Sequence, residues 1–153
     1  RQALAGSATP LGGSPTAPAA AVTTLDTRPI EQALGQPGRD VGDGVFQVTV
    51  PRAEPITEMG VPLLPAMGVV TVLNFQPTSD GKAGITGHFV LVVKVVNAGA
   101  RALRQHGIDV TAIHNHGLFD TPRLFYMHFW PNDDPAKLAQ GLKAALDQTN
   151  SRR

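Results

Sequence analysis

Cysteine is absent from the 153 residues. That excludes disulfides, zinc ribbons, iron–sulfur clusters, thiolate copper sites and cysteine nucleophiles. An excess of either charge is also missing, with 13 Lys+Arg against 12 Asp+Glu and a formal charge of +1. A chain so balanced lacks the basic footprint of a nucleic-acid-binding surface, so no nucleic-acid partner is expected. No apolar run approaches the roughly 18 residues needed to span a bilayer as a helix. The longest, Phe89–Val93 with Val95 and Val96 beyond Lys94, is far shorter, so no transmembrane segment is expected. What remains is 42% hydrophobic, enough for one real core, with 16 Gly and 13 Pro to punctuate it.

Of residues 1–24, nineteen are Ala, Gly, Pro, Ser or Thr, and only Arg1 is charged. Such a segment buries too little apolar surface to offset its ordering entropy, so it reads as a flexible tail. The chain starts with Arg rather than Met. Together these features lead us to expect a periplasmic or secreted protein whose signal peptide has been removed. A single folded domain is expected over residues 25–150.

Within that domain, Arg28-Pro29 and Gly35 bracket a short helix. Val45–Val50 reads as a strand ended by Pro51. Pro51, Pro55, Pro62 and Pro65 then predict an extended loop or loose hairpin up to Met67. Val69–Gln76 and Ala83–Val92 form strands joined at Ser79–Lys82. Val96, Ala100 and Leu103 mark one face of a helix that Gly107 ends. Ile108–His116 and Arg123–Trp130 are expected to be paired strands turning at Asp120–Pro122. Asp134-Pro135 opens a last helix whose buried face is Leu138, Leu142 and Leu146. The order predicts an α+β fold, an antiparallel sheet with helices packed on one face. The β-α-β-β-α portion from Ala83 suggests a ferredoxin-like arrangement in the second half.

Of the five histidines, three fall in the Ile108–Trp130 hairpin: His114, His116 and His128. His114 and His116 are two apart, so in a strand they project to one face with Cα atoms about 7 Å apart. With a turn at Asp120–Pro122, His114 stands opposite His128 and His116 opposite Tyr126. A register one residue different would turn His128 to the other face. Three convergent imidazoles suit zinc or copper, and three protein ligands plus an open position is the usual catalytic zinc arrangement. His88, on the preceding strand, is a candidate fourth ligand. His106, just before Gly107, suits the helix dipole and reads as structural.

Tyr126 and Trp130 share the face of His128 and are candidate pocket-lining residues. Arg52 and Arg123 could hold an anionic ligand, and Glu58 could act as a general base. Met127 alternates into the core. His114-Asn115-His116 spells the letters of the HNH nucleases, but the basic surface of such enzymes is missing. Phosphate-binding loop, Gly-x-Ser-x-Gly and His-Glu-x-x-His patterns are all missing too. Three functions stay open: a protein that binds, buffers or carries zinc or copper; a metal-dependent enzyme; and a metal-free domain binding a small molecule or partner in a His-lined pocket. A homodimer through sheet edges also stays open.

The segments Pro51–Pro55, Gly87–Leu91, Val110–His116 and Pro122–Trp130 together resemble the LppY/LpqO family, a bacterial and mostly exported domain of unknown function. The resemblance runs from about Pro29 to Thr149. It implies export and a His-lined site at His114, His116 and His128. The family usually carries Asp where this chain has His88, so His88 would be a ligand peculiar to this protein.

Overall fold

The computed structural model describes residues 24–152. The expected N-terminal tail lies outside the described residues, apart from Thr24. Pro29 sits in the first turn of helix α1 (Arg28–Leu34), and Gly35 ends it at φ 66°, a left-handed conformation. Strands β1 (Gly38–Asp40) and β2 (Phe46–Pro51) follow. The proline-rich segment forms a small hairpin of β3 (Thr57–Glu58) and β4 (Val61–Pro62). Then come β5 (Val70–Pro77), β6 (Ala83–Val92), α2 (Val96–Gln105), β7 (Asp109–His114), β8 (Asp120–Thr121), β9 (Leu124–Trp130), β10 (Asn132–Asp133) and α3 (Pro135–Leu146). The Asp134 carboxylate accepts from the Lys137 amide at 2.8 Å, which caps α3 as the sequence predicts.

The main sheet is antiparallel throughout, in the order β1-β2-β5-β6-β9-β7, and β10 continues the pairing of β9 along β6. β6 and β7 therefore run in the same direction, with β9 between them. One face of the sheet packs on the three helices, and α3 touches both α1 and α2. Alternation in each strand makes that core: Val48 and Val50, Leu73 and Phe75, Phe89 and Leu91, Met127 and Phe129 all point to the helix side. Ile30, Leu103 and Leu142 meet them from the helices. The fold is α+β, as expected.

The opposite face carries a smaller core of Ile56, Val69, Val90, Val92, Leu124 and Tyr126. The proline-rich segment covers it. That cover is pinned twice. β3 pairs with β8 through Thr57 with Thr121 and Glu58 with Asp120. Arg52, buried to 4% exposure, donates to the Val90 carbonyl at 2.6 Å and pairs with Glu54.

The β5–β6 ladder stops at Val72 opposite His88. Beyond that point polar side chains take over the ladder's bonds. The Val90 amide donates to Thr71 Oγ1 at 3.1 Å, the Val90 carbonyl accepts from Arg52, and His88 Nε2 meets the Val70 carbonyl at 3.0 Å. Every one of these buried backbone groups thus keeps a partner. Gly87 makes the close approach just before the split. It sits at φ 153°, and a Cβ there would lie 1.9 Å from the Val72 carbonyl oxygen. Gly87→Ala should therefore destabilise the fold by about 3 kcal/mol or more, read as a lower urea midpoint with an unchanged slope.

Candidate metal centre

The hairpin that carries the histidines differs from the expected one. The link from β7 to β9 is too long for a tight turn at Asp120–Pro122, because Asp120–Thr121 leaves to pair with β3. His114 stands opposite Tyr126, and His128 opposite Ala112. The pairing is thus displaced by two residues from the expected one, and an even displacement keeps every side chain on its face. A bulge between Val110 and Ala112 matters more. Up to Val110 the pairing is Asp109 with Trp130 and Val110 with Phe129. Continued without the extra residue, it would bring His114 opposite Phe125, turned toward the helices. Thr111 resets the alternation and places His114 on the face of His128.

Three imidazoles then converge. One nitrogen each from His114, His116 and His128 lies within 4.8 Å of the others. The rings of His114 and His128 stack at 4.9 Å with an 8° interplanar angle, and their Nε2 atoms are 2.9 Å apart. One of these nitrogens donates and the other accepts. His116 stacks on Tyr126 with centroids 3.4 Å apart, and its centroid is 5.1 Å from that of His114. Tyr126 is the buried floor under these rings, and burial followed by the nearby Asp120 charge raises its pKa. His114 and His116 are exposed and His128 is half-buried, so the group faces solvent.

His88 stands directly opposite His128 on β6, with ring centroids 5.5 Å apart. Its Nε2 faces the Val70 carbonyl, so that nitrogen must carry a proton and donate. Only Nδ1 is left as a free lone pair. His88 thus belongs to the cluster by ring contact, with centroids 6.3 Å from His116 and 5.3 Å from Tyr126. It is not among the three whose nitrogens converge. Burial lowers the pKa of His88, and its three neighbouring histidines lower it further against the Val70 bond. Burial also lowers His116, with His114 and His128 adding to it. Both rings are therefore held toward the neutral form that ligates metal.

The other candidates are engaged in contacts outside the triad or beside it. Arg52 is committed to Val90 and Glu54, as described above. Arg123 donates to the Gly117 and Leu118 carbonyls at 3.3 and 2.8 Å, which holds the loop behind His116. Trp130 is on the sheet face of His128 but lies against Gly84, one strand-end away from the cluster. His106 Nδ1 is 2.8 Å from the Ala102 carbonyl in the last turn of α2, a structural role. Met127 is fully buried in the core. Glu58 reaches a pocket of about 220 Å³ beside the cluster, lined also by His116, Gly117, Asp120 and Tyr126.

Asp120 is the functional-looking residue that sequence reading overlooked. It is buried to 8% exposure, and one carboxylate oxygen accepts from the Leu124 amide while Oδ1 has no partner. An Asp beside Thr-Pro reads as an ordinary turn former, and no local pattern marked it.

Over residues 28–148 the chain matches the family model described as Domain of Unknown Function (DUF1259), and it belongs to that family. No curated protein and no solved structure matches it. No helix among the described residues is long and apolar enough to cross a membrane.

The lowered histidines set the acid limb of stability. The unfolded chain takes up protons at the ordinary value of 6.5, whereas folded His88 and His116 resist protonation until lower pH. Their contribution is complete above about pH 6.5 and is lost as pH falls through the folded values. Urea midpoints of metal-free protein should therefore drop between about pH 7.5 and 5.5, and His88→Gln should flatten that dependence.

Proposed function

We propose that this protein binds a transition-metal ion, zinc or copper, through His114, His116 and His128. The observation that carries the reading is the convergence of three imidazole nitrogens within 4.8 Å on a solvent-facing surface. Two nitrogens on one zinc ion at about 2.0–2.1 Å stand roughly 3.3 Å apart at the tetrahedral angle. The 2.9 Å between Nε2 of His114 and His128 is close to that, so this pair needs only a small side-chain rotation, and the His116 nitrogen, within 4.8 Å of them, has to close in on the ion. An all-imidazole donor set without thiolate suits zinc and copper. His88 completes the reading as a fourth residue. Its Val70 bond and its contact with His128 support the first three, and its Nδ1 is the atom with which it could ligate. Binding, buffering or carrying the metal is the role of this site. The composition of residues 1–24 supports a location outside the cytoplasm. The His-Asn-His and Met-His-Phe-Trp segments support a place in the LppY/LpqO family.

A second reading, a metal-dependent enzyme, is favoured by one observation. The pocket of about 220 Å³ that holds Glu58 and Tyr126 has His116 in its wall. Three protein ligands leave a position for water, which zinc can activate near neutral pH.

Metal content by mass spectrometry on tag-free protein tests the first reading, with His114→Ala and His128→Ala beside the wild type. Near-stoichiometric metal should be found in the wild type and lost in both variants, with their circular dichroism unchanged. A wild-type chain that stays empty after incubation with zinc and with copper would overturn it.

A further inference from the structure

We propose that the pocket between β3, the loop before β8 and β9 binds a small organic ammonium ion, with Asp120 and Glu58 supplying its counter-charge. The pairing of β3 with β8 sets Glu58 opposite Asp120 across the strand pair. Like charges directly opposite each other destabilise a strand pair, so a cation between them would remove a standing cost. Their carboxylates meet at Gly117. The position that a Cβ on Gly117 would occupy is 2.7 Å from Glu58 Oε2 and 3.3 Å from Asp120 Oδ1. Only the absence of a side chain there leaves that point open. Asp120 Oδ1 is buried without a hydrogen-bond partner, and such an atom is costly unless a donor reaches it.

The cations nearby are already committed. Arg123 is turned to the Gly117 and Leu118 carbonyls, and Arg52 to Val90 and Glu54. Among the described residues neither Glu58 nor Asp120 forms an ion pair. The other walls decide between an inorganic and an organic cation. Leu63, Met67, Val69 and Leu124 line the remainder of the space. A metal ion would find two carboxylates and no third ligand of that kind, for among the described residues the convergent group is the histidine triad alone. A protonated amine on a short apolar or single-ring body matches both halves of the pocket.

This inference deepens the metal-site reading, because His116 is a wall common to the pocket and the triad, and its test is kept separate by using metal-free protein. The probes are isoamylamine and benzylamine, with the matching alcohols and carboxylates, at about pH 7.5, where an alkylamine with a lysine-like pKa is protonated. Binding is read from amide shifts in two-dimensional NMR spectra. The amines should shift Gly117, Asp120 and Tyr126, and the carboxylates should not. Glu58→Gln and Asp120→Asn should each weaken amine binding at least about tenfold, the loss expected when one member of a buried charge pair is neutralised. Gly117→Ala should abolish it by filling the meeting point. The Glu58 side chain makes no hydrogen bond or ion pair among the described residues, so Glu58→Gln keeps the test sound should Asp120→Asn fold poorly. Failure of both amines to bind, equal binding of amine and alcohol, binding unaffected by Glu58→Gln, or displacement of the amines by equimolar magnesium or calcium would each overturn the proposal. Loss of the metal reading alone would leave the amine titration intact.

Discussion

The opening between β5 and β6 is the constraint around which this molecule is arranged. A sheet that separates in its middle must find new partners for buried backbone groups, since an unpaired one costs on the order of a lost hydrogen bond. Here Thr71, Arg52 and His88 supply them. Arg52 arrives from the end of β2 and thereby ties the proline-rich cover to the sheet. His88 is held in one tautomer beside the other histidines. Gly87 lets the two strands come close enough before they part. Cover, second core and histidine cluster all hang on that one substitution of side chains for a ladder.

Regular elements were readable from the chain because local chemistry brackets them. Asp134-Pro135 opens α3, Gly35 closes α1, and β6 spans Ala83–Val92 as the alternation and the Ser79–Lys82 turn predict. The histidines were readable as a group from their spacing, but the strand expected over Ile108–His116 ends at His114, so His116 joins the others from the loop beyond β7 rather than by strand alternation. The register was not. It depends on one extra residue at Thr111 and on Asp120–Thr121 pairing with a distant segment. Neither leaves a trace in local composition. The destinies of Arg52 and Trp130 were hidden for the same reason: contacts across the fold decide them.

The histidine cluster also shows how a site can be divided between stable and yielding parts. His128 and His88 sit on neighbouring central strands, and His114 and His116 on an edge strand and the loop beyond it. The central pair is braced by the β6–β9 ladder and by Tyr126 beneath. The outer pair is braced by Arg123 through the loop carbonyls and by the stack of His116 on Tyr126. Any ion that joins the four elements would clamp the edge of the sheet to its centre, and the edge would gain the more from it.

The bulge at Thr111 has an effect beyond the direction of His114. β7 is a free edge, and a straight edge of unpaired amides and carbonyls is a template for another chain. An extra residue in that edge offsets its two halves, so an incoming regular strand could match one half only. The residue that assembles the histidine face therefore also makes this edge a poorer template for an added strand.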